Sequence, residues 1–153
     1  MIYTSTKEYP NLTPVAYRQW RAQSHCNKVH GYSFSFKLEF EATTLDAYNW
    51  VVDYGSLRPL KDFLEEHFDH KLLVAEDDPK RDDFIALAAA GLADITWVEK
   101  TGCEGIASFI IEYINTMWLP LHYPGKRVVC RRVEVRETHA NMAYVIWEDS
   151  DDI

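Results

Sequence analysis

Cys26 and His30 stand four residues apart in a chain of 153 residues, with Lys28 between them. A thiol close to a basic side chain and an imidazole ionises more readily than an isolated one, which suits acid/base work. The ordinary alternatives are a small loop residue and a partly buried histidine. His25 adds a second imidazole next to Cys26. A metal site draws several His, Cys or carboxylate ligands from two or three chain locations, and spacing alone supplies no third ligand here. Asp69-His70 is an adjacent pair. It is a proton relay if a carboxylate orients the imidazole, or the plain end of a helix, where the dipole favours histidine. Glu137 has the parity of Val129, Val133 and Val135. An ionised carboxylate on an apolar face is costly unless paired, which leaves the rim of a sheet or a donor-rich ligand. A guanidine-like ring edge, with amino and ring N–H groups, would satisfy it with two hydrogen bonds. Glu104 lies three residues after Thr101, the spacing of a capping box.

These residues need elements to position them. Residues 31–42 alternate, with Tyr32, Phe34, Phe36, Leu38, Phe40 and Ala42 on one parity, the signature of a strand with one buried face. His30 extends that face. Residues 15–22 form an aromatic-rich strand, and the loop over 23–29 is too short for a crossover, so the two strands make an antiparallel hairpin. Leu57, Leu60, Phe63, Leu64 and Phe68 recur at helical spacing over 56–68, with Ser56 as N-cap. A charged turn follows over 76–83, then a short helix stopped near Gly91, and a short extra strand over 95–98. A second main helix opens at Thr101, carries Ile106, Phe109, Ile110, Tyr113, Ile114 and Met117 on one stripe, and ends before Pro120. Strands over 127–138 and 142–147 close the chain, and 148–153 form a frayed acidic tail. The order predicts one α+β domain over 1–153, with an antiparallel four-stranded sheet and helices on one face.

Composition narrows the function. Sixteen Lys and Arg against 24 Asp and Glu leave a net charge of −8. Nucleic acid and anionic membrane surfaces both reward clustered positive charge, so neither is an expected partner. No run approaches a membrane span, and the first ten residues lack the basic and apolar regions of a signal peptide. Three cysteines at unrelated spacings, Cys26, Cys103 and Cys130, suit a reducing compartment, and the expected location is cytoplasmic.

Taken in order, five fragments resemble the 6-pyruvoyl-tetrahydropterin synthase and 6-carboxy-tetrahydropterin synthase family. Cys26-x-x-x-His30-Gly31-Tyr32 is similar to its C-x-x-x-H-G-H, and Val51-Val52-Asp53-Tyr54 to V-x-D-F. Phe68-Asp69-His70-Lys71-Leu72-Leu73 resembles L-D-H-x-x-L, Thr101-Gly102-Cys103-Glu104 resembles P-T-x-E, and Val135-Arg136-Glu137-Thr138 matches V-x-E-T. The resemblance implies the tunnelling fold (T-fold), assembled as a hexamer from two trimers with sites between subunits. It implies Cys26 as the acid/base, Asp69 and His70 as relay partners, and Glu137, assisted by Glu104, as the anchor for a pterin's amino-pyrimidine edge. It further implies a zinc ion held by three histidines. His30 matches one of them, while Tyr32 replaces another and is a poor ligand because its phenol must lose a proton of pKa about 10. For the remaining one, matching Ala16-Tyr17-Arg18 to A-H-R gives Tyr17, whereas matching Trp20-Arg21-Ala22-Gln23-Ser24-His25 to F-x-A-x-H gives His25. The segment between Ala75 and Lys100 is longer than the family's usual loop, which implies a different pocket rim.

The implied activity is that of a lyase converting 7,8-dihydroneopterin triphosphate to 6-carboxy-tetrahydropterin with loss of acetaldehyde and triphosphate, as on the route to 7-deazaguanines such as queuosine. The pyruvoyl-forming reaction, and a non-catalytic pterin- or purine-binding oligomer that has lost its zinc, are the alternatives. Because the chain is acidic overall, a triphosphate needs local cations, and Arg18, Arg21 and Lys28 are the candidates.

Overall fold

The computed structural model describes residues 1–151. A six-stranded sheet in the order β4-β3-β1-β2-β5-β6 carries the chain. Its strands are β1 (Tyr3–Tyr17), β2 (His30–Ala42), β3 (Lys71–Ala75), β4 (Ile95–Val98), β5 (Val129–Arg136) and β6 (Met142–Ile146). Four of them form the antiparallel set β1-β2-β5-β6, while β3 runs parallel to both β1 and β4. The sheet is therefore mixed and has two strands more than the expected four, one of them the short strand anticipated at 95–98.

The alternation in β2 does what its pattern dictates. Phe34, Phe36, Leu38 and Phe40 are buried in one core with Leu60, Leu64 and Phe68 of helix α1 (Arg58–Phe68) and Ile106 and Ile110 of helix α3 (Cys103–Tyr113). Helix α2 (Arg81–Ala89) covers the reverse of the parallel end, where its Phe84 meets Leu72 and Val74 while Leu73 faces the main core. With both faces covered, β3 has no alternation, and its sequence, KLLVA, is an apolar run rather than a period-two pattern.

Strand β1 begins earlier than expected and ends earlier, at Tyr17 rather than residue 22. Pro10 and Asn11 look like strand breakers, but a register shift between Tyr9 and Thr13 absorbs them, with Asn11 in the left-handed region (φ 46°) that asparagine tolerates. A second irregularity lies in β5, where Glu39 and Phe40 pair with Arg132 and Cys130, so Arg131 is the extra residue. Cys130 thereby replaces Val129 as the buried residue, and the parity of Val133 and Val135 does not extend back to Val129. The backbone N–H and C=O of Cys130 are both bonded by the side-chain amide of Asn115, at 2.8 and 2.9 Å.

Helix starts and ends follow local hydrogen bonding. Asp53, not Ser56, caps the turn Tyr54–Leu57 that leads into α1, through its carboxylate and Gly55 N–H. The expected capping box at Thr101 does not form. Thr101 Oγ1 donates to Arg18 C=O, and α3 starts after Gly102 at φ 96°, a conformation that glycine adopts without strain. The second main helix also continues past Pro120. The wider turn Ile114–Trp118 leads directly into α4 (Leu119–His122), with Pro120 in the first turn of α4. In the acidic tail, Asp149–Asp151 form a short turn and Asp149 pairs with Arg131 at 3.1 Å, while 152 and 153 lie outside the described residues. Among the described residues, no helix is long and apolar enough to cross a membrane.

Candidate functional site

The hairpin register decides which side chains meet. Tyr17, the last residue of β1, pairs with His30, the first of β2, and Val15 pairs with Tyr32. The rings of Tyr17, His30 and Tyr32 form one cluster, with centroids 5.6 Å apart for Tyr17–His30, 5.8 Å for Tyr17–Tyr32 and 5.1 Å for His30–Tyr32. Glu137, one residue past β5, reaches this cluster. Tyr17 is fully buried, and its hydroxyl donates to Glu137 Oε2 at 3.0 Å. Cys103, in the first turn of α3, brings its Sγ to 3.9 Å from the same oxygen.

Electrostatics sort the two thiols. Burial, and then the charges of Glu137 and Glu104, push the Cys103 thiol up to about 12, so it stays protonated and can only donate. Burial also pushes the Tyr17 phenol far up, with Cys103 and Glu137 adding to the shift, which keeps it a donor. The Tyr32 phenol is raised by burial first, then by the charges of Glu137, Cys26 and Cys103. Cys26, in the short turn His25–Asn27, is half-buried.

Other candidates fall elsewhere. His30 Nδ1 lies 2.7 Å from Lys28 C=O, so Nδ1 carries the proton and Nε2 is the open lone pair. His25 is exposed in its turn, and Tyr17 packs against His30 and Tyr32. Glu104 is exposed on α3 and acts on Cys103 through its charge. Asp69 closes α1, its N–H donating to Glu65 C=O, and its Oδ1 lies 2.9 Å from His70 Nδ1, so the carboxylate orients that imidazole as a relay requires. His70 sits in the left-handed region (φ 58°), held by its N–H to Pro14 C=O at 2.8 Å. Cys26 C=O accepts from Gln19 N–H. Among the described residues, no hydrogen bond joins Cys26 to His70.

The donor set does not fit a zinc ion. Tetrahedral zinc takes neutral imidazoles, thiolates or carboxylates. Of the positions matched to the family's histidines, His30 is an imidazole while Tyr17 and Tyr32 are phenols pushed further toward the protonated form, and Tyr17 donates to the Glu137 carboxylate. Among the described residues, no group of three or more His, Cys, Asp or Glu side chains is arranged to hold a metal ion.

Two of the three cations expected to grip a triphosphate are paired with aspartates. Arg18 forms two hydrogen bonds to the buried Asp78, Nε–Oδ2 at 2.9 Å and Nη2–Oδ1 at 2.7 Å, and a third from Nη1 to Asn27 C=O at 3.1 Å. Arg21 pairs with Asp77 at 3.1 Å and stacks on Trp20. Among the described residues, only Lys28 of the three has no carboxylate partner. Arg18 therefore clamps the Cys26 turn to the segment after β3.

The hydrogen bonds from Arg18 hold the Asp78 carboxyl below its usual range. A lowered folded value means that the pair's stabilisation is complete above about pH 4 and is lost as pH falls through that value. Asp78→Asn is expected to cost about 2 kcal/mol at pH 7, less than a fully buried pair because Arg18 is partly exposed. Urea denaturation should show the difference from wild type shrinking below about pH 4; a pH-independent difference would contradict the clamp.

Comparison with known proteins follows the same lines. Residues 13–148 match the family described as 6-pyruvoyl tetrahydropterin synthase. The chain belongs to this family. Over 57 residues it is 32% identical to 6-carboxy-5,6,7,8-tetrahydropterin synthase of Rickettsia conorii, a stretch covering 37% of this chain and 41% of that protein. The same enzyme of Rickettsia bellii is likewise 32% identical over 57 residues, with the same coverage. The matched stretch thus spans less than half of these relatives. An uncharacterized protein from Wolinella succinogenes superposes with a TM-score of 0.82 at 21% identity, covering 97% of this chain and 99% of that one. 6-Pyruvoyl tetrahydropterin synthase from Plasmodium vivax gives 0.67 at 16% identity, with 95% and 97% covered. The architecture is the T-fold that the resemblance implied. Its parallel end, β3, α2 and β4, includes the long segment between Ala75 and Lys100.

Two residues of the site carried little sequence signal. Tyr17 is one of two alternatives for a metal position in the sequence, and its packing against His30 and Tyr32 exists only in the hairpin register. Cys103 looked like part of a helix start, because nothing in T-G-C-E reports that its thiol turns toward Glu137.

Proposed function

We propose that this protein is a pterin side-chain lyase of the 6-carboxy-tetrahydropterin synthase kind, in which Glu137 anchors the ring and Cys26 with Asp69–His70 moves protons on the side chain. The observation that carries this reading is the Glu137 carboxylate, half-buried, tied at Oε2 to Tyr17 of the Tyr17–His30–Tyr32 ring cluster and open at Oε1. A pterin edge offers the paired N–H donors that such a carboxylate accepts. The C=N bond of a dihydropterin acidifies the neighbouring side-chain carbon, and a thiolate and a carboxylate-oriented imidazole are the groups such proton transfers need.

In this reading the site takes its relay pair from a neighbouring copy. The His70 side chain is 79% exposed, available to a partner. Edge strand β6 has unpaired backbone on one side and exposes Met142, Tyr144 and Ile146, features that suit pairing with a second copy. A ring of such copies, closing as a trimer and stacking as a hexamer, is the assembly proposed.

One observation favours a second reading. With a donor set unsuited to zinc and with Arg18 and Arg21 paired to aspartates, the chain also suits a pterin-binding oligomer without turnover. Incubation with 7,8-dihydroneopterin triphosphate separates the two. The lyase releases 6-carboxy-tetrahydropterin, acetaldehyde and triphosphate in equal amounts, detected by mass spectrometry. Ring binding with no product, with or without added zinc, would leave the second reading.

A further inference from the structure

Glu137 lies beyond the last ladder pair of β5, and its rotamer is not fixed by the sheet. What fixes it is a side chain from a different strand. The Tyr17 hydroxyl, 120 residues away in sequence and fully buried, has Glu137 Oε2 as its partner at 3.0 Å. A buried hydroxyl needs a hydrogen bond, and a hydrogen bond to a carboxylate is among the stronger ones. The Tyr17 ring cannot swing away, being packed against His30, Tyr32 and Phe34. Cys103 Sγ, itself buried, flanks the same oxygen. Oε2 is thereby occupied from the protein side, and Oε1 has no partner among the described residues.

We propose that Tyr17 is a positioning residue: its hydroxyl orders the Glu137 carboxylate, without a metal ion, so that Oε1 faces the bound heterocycle. This rests on the reading of Glu137 as the ring anchor. Tyr17 does not touch the ligand; it preorganises the group that does, so its removal leaves a carboxylate that must be ordered at the expense of binding.

The test is a fluorescence titration with neopterin on wild type, Tyr17→Phe, Glu137→Gln and the double variant, each checked for its melting temperature. Tyr17→Phe keeps the ring and loses the hydroxyl, and affinity is expected to fall about tenfold. In the Glu137→Gln background the same change should cost less than about threefold, because a neutral amide oxygen gains less from the phenol. A purely structural role would lower the melting temperature and give equal losses in both backgrounds, and that result would overturn the proposal, as would wild-type affinity in Tyr17→Phe. Should Tyr17→Phe not fold, wild type alone decides. Chelator-treated protein must bind neopterin as tightly as zinc-supplemented protein, and a tenfold gain on adding zinc would overturn the metal-free arrangement. Absence of binding by wild type under every condition is a different outcome, which removes the pterin reading itself.

Discussion

Glu137→Ala is expected to lose neopterin binding by on the order of a hundredfold while leaving melting temperature and oligomer size close to wild type. The magnitude follows from removing the two hydrogen bonds that Oε1, with its two lone pairs, accepts from the paired N–H donors of an amino-pyrimidine edge, each charge-assisted and worth about tenfold. The fold should tolerate the change because Glu137 is half-buried and lies past the end of β5. The substitution leaves the Tyr17 hydroxyl without its partner, so a modest loss of stability is expected, within the range of one lost hydrogen bond, about 1 kcal/mol. Light scattering and thermal melts establish that the assembly survives, and fluorescence titration gives the affinity. Unchanged affinity in a folded, assembled variant would contradict the anchor.

The second large effect concerns the division of the catalytic groups between copies. Cys26→Ala and His70→Asn should each lack detectable turnover on their own while still binding neopterin. Asparagine is chosen because position 70 is left-handed, a conformation it tolerates, so the substitution removes the imidazole with little backbone strain. When the two variants are co-expressed and assemble at random, one site in about four receives Cys26 from one copy and His70 from its neighbour, and about a quarter of wild-type turnover should return. If both groups of a site came from one chain, no mixed assembly would contain an intact site and activity would stay absent. The expectation follows from the proposed sharing of each site between two copies, with an exposed His70 just before β3 and Cys26 in the turn before β2.

How much was legible in the sequence depended on whether a residue's role is local. The strict alternation of β2 and the helical stripes of α1 and α3 reported one-sided burial, and the core follows them. Strand β3 was not legible because both its faces are covered, which erases the period. The length of β1 was hidden by Pro10 and Asn11, whose breaker character is absorbed by an irregularity that exists only once β2 pairs alongside. In the site, Glu137 stood out because a carboxylate in register with valines violates the pattern around it. Tyr17 did not, since a tyrosine beside apolar residues is unremarkable until the register sets its hydroxyl against that carboxylate. The commitment of Arg18 to Asp78 was equally invisible, because the partners are 60 residues apart and neither sits in a motif. Charge counted along the chain suggested a phosphate grip; charge paired in space leaves a clamp on the Cys26 turn.

The most direct test is a crystal structure of the protein grown with 7,8-dihydroneopterin. Glu137 Oε1 should lie within hydrogen-bond distance of the amino-pyrimidine edge, with Oε2 still on the Tyr17 hydroxyl, and the ligand's side chain should lie between Cys26 of the same copy and His70 of a neighbouring one. A ligand bound away from Glu137, or Glu137 turned to solvent beside an occupied site, would contradict it.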